Sequence, residues 1–279
     1  MREIHINEIT KVVAELCIKA CVVVAPDIRA YMEKALGVEA GVARQVLDDM
    51  LKNQDISIQH KMPICQDTGM AVVFLEVGQD VRLVGGNATE AVHEGVRRGY
   101  KEGFLRKSVV ADPINRVNTK DNTPAVIHYD IVPGDAVKIT VSPKGFGSEN
   151  MSRLKMFVPA DGLGAVENFV LETVTKADAN PCPPIVVGVG VGGTFDYAAN
   201  MAKRALLRKI GSRHPDDFWA DVEKRLLEKI NATGIGPAGF GGLTTAMAVH
   251  INTYATHIAG LPVAVNIGCH VNRHEEITL

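Results

Sequence analysis

Long apolar runs are missing from this chain, and so is any excess of charge of one sign. No stretch approaches the ~20 apolar residues that a membrane span requires. The opening Met1-Arg2-Glu3-Ile4-His5 puts charges where a secretory leader would need its apolar segment. Lys and Arg number 30 against 32 Asp and Glu, a net charge of −2, so neither a nucleic-acid partner nor a polybasic membrane surface is expected. Cysteine is scarce: there are five, an odd and scattered set with no C-x-x-C pair. That speaks against a secreted disulfide framework and against structural zinc, and makes reduced thiols in the cytoplasm the expectation. No G-K-[ST] occurs, which excludes a Walker phosphate loop. What remains is a chain of 279 residues, 46% hydrophobic, long enough to bury a core without staples.

The first fifty-odd residues carry helical spacing. Ile9, Val12, Val13, Leu16, Cys17 and Ala20 share one stripe that Pro26 ends, Asp27 is placed to cap a second helix running to Leu36, and a third stretch covers about 39–53. An apolar strand is expected from Met70 to Val77, and Asn87-Ala-Thr-Glu90 has the form of a capping box opening a helix to about Leu105. Ile127, Tyr129 and Ile131, then Val137, Ile139 and Val141, alternate around Pro133-Gly-Asp135, which predicts a β-hairpin over 125–142. Helices are expected near 162–176, 194–210 and 215–231, with a buried strand at 185–189. The pattern predicts an α/β chain of mixed sheets flanked by helices, behind a helical N-terminal segment. It reads as one catalytic domain over 1–279, divisible into two lobes of about 1–180 and 181–279.

Two segments match the dinucleotide fingerprint G-x-G-x-x-G: Gly188 to Gly193, after an apolar strand, and Gly234 to Gly239. The first lacks the acidic residue expected about twenty positions on, where Arg208 and Lys209 stand, so a non-catalytic dinucleotide-binding protein is a minor alternative. Cys17 and Cys21 lie on one face of an apolar helix and read as core. Cys65, Cys182 and Cys269 sit instead among prolines, glycines and amides, in loops. Three thiolates suffice to hold a cubane iron–sulfur cluster while leaving one iron without a protein ligand.

Six segments in order carry a resemblance: Pro63 to Gly69 (PICQDTG), Lys144 to Asn150 (KGFGSEN), Asn180 to Pro184 (NPCPP), Gly190 to Thr194 (GVGGT), Gly236 to Thr245 (GPAGFGGLTT) and Gly268 to His270 (GCH). The chain resembles the α subunit of two-subunit, iron–sulfur class I fumarate hydratases and the related L-tartrate dehydratase α subunit. The resemblance implies a [4Fe–4S] cluster held by Cys65, Cys182 and Cys269, with its open iron acting as a Lewis acid. It implies Gln66, Asp67, Arg106, Gly147 and His257 as substrate contacts, Asp67 also as a proton donor or acceptor. Phe146 departs from the run of three glycines more often seen at its place. Taken alone, Asp67 before Thr-Gly also reads as a turn cap, Arg106 as a surface arginine and His257 as a core histidine. The implied activity is reversible hydration of fumarate to L-malate, a small dicarboxylate, with L-tartrate dehydration as the alternative. Single-chain members carry a second domain after this half, so a β subunit, an α2β2 assembly and little activity of the chain alone are expected.

Overall fold

The computed structural model describes residues 1–279. In chain order the elements are β1 (Arg2–His5), α1 (Ile6–Val22), α2 (Pro26–Leu36), α3 (Gly41–His60), β2 (Met70–Gly78), β3 (Val81–Val84), α4 (Ala88–Glu102), β4 (Val126–Val132) and β5 (Val137–Lys144). There follow α5 (Phe146–Glu149), β6 (Arg153–Phe157), α6 (Gly162–Ala177), β7 (Ile185–Gly193), α7 (Phe195–Ala205), α8 (Asp217–Asn231), β8 (Ala246–Thr256), β9 (Leu261–Gly268) and β10 (Glu275–Thr278). The mixed α/β class read from the sequence is what forms, including the helical N-terminal segment. The chain divides into two compact units. The first comprises Met1–Ala25, Asn53–Phe146 and Arg273–Leu279; the second comprises Pro26–Lys52 and Gly147–Asn272. No helix is long and apolar enough to cross a membrane.

In the first unit a four-stranded sheet runs β10-β5-β2-β4, beside a parallel pair of β1 and β3. β2 (MAVVFLEVG) is apolar at almost every position and buried on both faces, as a central strand must be. This corrects the hairpin read at 125–142. β4 and β5 do form, but β2 lies between them, parallel to β4 and antiparallel to β5. The 133–136 turn passes over the end of β2, where the Gly78 N–H donates to the Ala136 carbonyl at 2.8 Å and any Cβ on Gly78 would lie 2.4 Å from the Gly134 oxygen. Helix α1 packs on α4 closely because Gly95 and Gly99 carry no side chain. A Cβ at either would sit 2.7–2.8 Å from the backbone oxygens of Thr10 and Ala14. Val13, Cys17, Val73, Leu75, Val92, Val96 and Ile139 fill the core between these helices and the sheet.

In the second unit the sheet runs β6-β9-β7-β8, with β7 antiparallel to β9 and parallel to β8. Alternate residues of β7 meet different layers. Val187 and Val189 pack with Val170, Val174, Leu226 and Ile230 of α6 and α8. Gly188 and Gly190 face α7 so closely that a Cβ would lie 2.2 Å and 2.1 Å from the carbonyl oxygens of Ala202 and Ala198. The glycines that resemble a dinucleotide fingerprint therefore lie inside a strand and serve strand–helix packing. Pro26 does not merely end α1; it opens α2, where its missing N–H costs nothing. Asp27 is not a helix cap either: its Oδ2 accepts the Ile210 N–H at 2.6 Å.

Candidate active site

The PICQDTG segment is a loop of the first unit pinned along its length. The Ile64 N–H donates to the Cys21 carbonyl (3.0 Å), and Asn53 Nδ2 donates to the Ile64 carbonyl (2.9 Å). At the other end the buried Tyr100 hydroxyl donates to the Thr68 carbonyl (2.7 Å), and Asn122 Nδ2 donates to the Gly69 carbonyl (3.2 Å). Gly69 has φ +73°, and a Cβ there would lie 2.6 Å from the Lys144 backbone, so the turn requires glycine. Between these anchors stand Cys65, Gln66 and Asp67. The Cys65 thiol donates to Gln66 Oε1 at 3.2 Å, and the Gln66 side chain is exposed.

Asp67 is held on both oxygens: Oδ1 accepts the Gly69 N–H (3.0 Å) and Oδ2 accepts the Phe146 N–H (2.9 Å). The turn-capping geometry foreseen for an Asp before Thr-Gly is thus present, and it orients the carboxylate rather than excluding a chemical role. Gly145 lies against the same carboxylate, since a Cβ there would be 3.0 Å from Oδ2 and 3.1 Å from Nη2 of the buried Arg273. Arg106 has an exposed side chain, as a surface arginine would. Its backbone, however, is fixed beside this loop, because Thr68 Oγ1 donates to the Arg106 carbonyl at 3.0 Å. Asn122 Oδ1 steadies the same strip by accepting the Ser108 and Val109 N–H groups. Gln66 and Asp67 therefore lie in a loop held against the Arg106 backbone. Tyr100 and Asn122, which hold this loop by hydrogen bonds, and Arg273, which lies beside Gly145, carry no motif in the sequence.

The second unit holds Cys182, Cys269, Gly147 and His257. Cys182 follows α6 in a loop and has φ +55°, an uncommon backbone for a residue with a side chain. Its carbonyl accepts the His270 N–H and faces His270 Nδ1, both at 3.2 Å. The loop that carries Cys182 is thereby tied to the residue next to Cys269. The GPAGFGGLTT segment supports the first of these loops: the Ala238 N–H donates to the Pro183 carbonyl (2.8 Å), and the Gly239 backbone packs on Ala179. Gly147 is exposed, with the Asn180 carbonyl oxygen 3.6 Å from where its Cβ would be. His257 is not a core histidine. It is exposed in the turn after β8, with Nδ1 accepting the Ala259 N–H at 3.2 Å.

The five thiols divide as their settings dictate. Cys17 and Cys21 are fully buried in α1. Burial pushes the Cys21 thiol up to about 11 and Cys17 higher still, so both stay protonated and inert near neutrality. Cys182 is exposed, while Cys65 and Cys269 are half-buried, all three in loops. Reachable thiols on backbone held by hydrogen bonds are the donor type that iron–sulfur groups take, so these three side chains fit such a group chemically. Cys65 belongs to the first unit and the other two to the second. Neither unit by itself gathers three or more histidine, cysteine or acidic side chains in metal-holding geometry.

A family model described as fumarate hydratase (Fumerase) matches residues 10–278. A Methanocaldococcus jannaschii protein, provisionally assigned as an L(+)-tartrate dehydratase subunit alpha, is 42% identical over 273 residues, covering 95% of each chain. The L(+)-tartrate dehydratase subunit alpha of Escherichia coli is 33% identical in strain UTI89 and 32% in strain K12, covering 96% of this chain and 89% of the relative. The chain belongs to the fumarate hydratase (Fumerase) family, and it is a hydro-lyase.

Proposed function

We propose that this chain is the α subunit of a cytoplasmic iron–sulfur hydro-lyase that interconverts fumarate and L-malate, its active site completed by a β subunit in an α2β2 assembly. One observation carries the reading: of five cysteines, the three in motif loops have reachable thiols, whereas the two in α1 are buried. Cys65, Cys182 and Cys269 would hold a [4Fe–4S] cluster, which when bound supplies Lewis-acid pull on the substrate hydroxyl through an iron without a protein ligand.

The chain's own residues bind and orient. Arg106 offers a forked guanidinium to one substrate carboxylate, and its fixed backbone limits where that fork can reach. Gln66 presents an exposed amide to the substrate's polar groups, and Gly147 presents a backbone N–H with no side chain in the way. His257 is a further exposed contact. Asp67 moves a proton at its carboxylate, whose orientation is set by the Gly69 and Phe146 N–H groups. The base that removes the carbon-bound proton belongs to the β subunit in this account.

A second reading, L-tartrate dehydration, is favoured by the names of the relatives from Methanocaldococcus jannaschii and Escherichia coli. Steady-state kcat/KM of the anaerobically reconstituted α–β complex on L-malate and on L-tartrate decides between them. The account expects the larger value on malate; a larger value on tartrate replaces the fumarase assignment, and activity on neither removes both.

A further inference from the structure

The KGFGSEN segment contains a carboxylate that the reading above does not use. Glu149 closes α5, two residues after Gly147, and its side chain is mostly withdrawn from water. Lys203 Nζ, on α7, donates to Oε1 at 2.5 Å, and Asn266 Nδ2, on β9, donates to Oε2 at 2.7 Å. Asn266 Nδ2 also reaches Ser152 Oγ at 2.7 Å, and the same hydroxyl oxygen accepts the Ile267 N–H at 3.2 Å. Lys203 Nζ is 3.4 Å from Asn266 Oδ1, which closes a ring of three side chains. Asn266 stands three residues before Cys269. On the far side of that cysteine, the Asn272 N–H donates to the Cys269 carbonyl (3.0 Å), and Asn272 Nδ2 donates to the Leu206 carbonyl (2.8 Å).

We infer that Glu149 is a positioning residue: with Lys203 and Asn266 it locks the Gly147 turn to the strand end that presents Cys269, fixing a substrate contact and a cluster ligand together. The inference rests on the functional reading above for what Gly147 and Cys269 do, but the lock itself is a property of the second unit alone. A half-buried carboxylate accepting from one cation and one amide makes two charge-assisted bonds, stronger and more directional than neutral ones. Lys203 and Asn266 are both donors to it, so an amide in its place must turn its own NH2 toward one of them. Simple space-filling would accept Glu149→Gln without penalty, whereas a polarity-matched lock would not. The two explanations therefore separate on one isosteric change. Pairing that change with Asn266→Asp restores complementarity with the polarity reversed. The new amide then donates and the new carboxylate accepts, while Lys203 keeps a carboxylate neighbour and the Ser152 hydroxyl can donate.

The test uses the α–β complex in wild-type, Glu149→Gln, Asn266→Asp and Glu149→Gln/Asn266→Asp forms. Each is read by iron and sulfide content, by KM and kcat on malate, and by the rate of Cys269 alkylation in the iron-free protein, measured peptide by peptide. Circular dichroism and continued protection of Cys17 and Cys21 report that each variant is folded. Glu149→Gln is expected to raise the Cys269 alkylation rate and KM by about tenfold each, the scale of one lost bond to a charged group, with Cys65 unchanged. The double variant is expected to return both to within about twofold of wild type, the pairwise rescue of a coupled site. A Glu149→Gln protein that matches wild type in both readouts overturns the lock, and so does a double variant no better than the singles. If wild type takes up no iron with its β subunit present, the functional reading fails, while the Cys269 alkylation rates still decide the lock.

Discussion

Asp67 accepts the Phe146 N–H through Oδ2 at 2.9 Å while Oδ1 accepts the Gly69 N–H at 3.0 Å. Both partners are donors, so the carboxylate is held by bonds that an amide cannot reproduce. Asp67→Asn must turn its NH2 toward one backbone N–H, a loss of about 1–3 kcal/mol of stability. Since the same residue is assigned the proton transfer, kcat of the α–β complex should fall by about 10²-fold or more. Chemical denaturation and steady-state kinetics on one preparation check both numbers; a kcat within a few-fold of wild type removes Asp67 from the chemistry.

Gly190→Ala probes the glycine-rich end of β7. The new methyl group would lie 2.1 Å from the Ala198 carbonyl oxygen, so α7 must move away from the sheet. A loss of about 1–3 kcal/mol is expected, the usual cost of overpacking, read as a lower denaturation midpoint. Wild-type protein should show no saturable NADH binding by fluorescence. Binding of NADH that the alanine abolishes would restore the dinucleotide reading.

The thiols give a prediction in alkali. Cys21 titrates near 11, raised by burial and partly offset by the Arg273 guanidinium, and Cys17 is raised further by burial and by Cys21. In the unfolded chain both ionise near about 8.5. Between these values the unfolded state has lost protons that the folded state keeps. Stability is therefore complete below about pH 8.5 and declines as pH rises towards 11, by about 1.4 kcal/mol per unit for each thiol. Cys17→Ala/Cys21→Ala should flatten that slope in urea titrations across pH 8 to 10.5. In the native iron-free protein at pH 8, Cys65, Cys182 and Cys269 should alkylate at least about 10²-fold faster than the α1 pair. Equal rates at all five would erase the distinction on which the ligand assignment stands.

His250 gives the matching prediction in acid. It is buried in β8, with Nδ1 3.2 Å from the Ala205 carbonyl oxygen, and its pKa is lowered to about 4. Burial is the main cause and the Arg208 charge adds to it, against weaker opposing pulls from Glu223, the Ala205 carbonyl and Asp27. The unfolded chain takes up a proton near pH 6.5 that the folded chain refuses until about 4. Stability from this group is thus complete above about pH 6.5 and falls as pH drops towards 4, by up to about 3 kcal/mol. His250→Gln should remove most of that slope between pH 4.5 and 6.5, measured by urea midpoints. An unchanged slope would assign the acid sensitivity elsewhere.

Sequence periodicity located the long helices and the strands β2, β4, β5 and β7, because it reports which residues are buried and at what spacing; the short α5 and the strands β1, β3, β6, β8, β9 and β10 carried no comparable pattern. The alternation at 127–141 identified β4 and β5 as strands, but it carries no information about partners. The apolar character of β2 on both faces was the only local hint that it would lie between them. Asp27 differs from its local pattern for a related reason: an acidic residue after Pro26 looks like a cap until Ile210, far along the chain, supplies its donor. In the candidate site, Gln66, Asp67 and Arg106 come from the family resemblance, while the residues alone offer Asp67 only as a turn cap. Their supports are not visible: Tyr100 lies in a helix and Asn122 in a loop, and only folding brings them to the Gly69 turn, as it brings Arg273, near the end of the chain, beside Gly145. Glu149 is a third case, inside a recognised motif, yet its role depends on Lys203 and Asn266 more than fifty residues away.

The most direct measurement is iron and sulfide per α chain after anaerobic reconstitution of the α–β complex, for wild type and for Cys→Ser at each of positions 17, 21, 65, 182 and 269. The account predicts about four of each per chain in wild type and in the Cys17 and Cys21 variants, and loss of the cluster in each of the other three. Full clusters in the Cys65, Cys182 or Cys269 variants, or the same loss at all five positions, would contradict it.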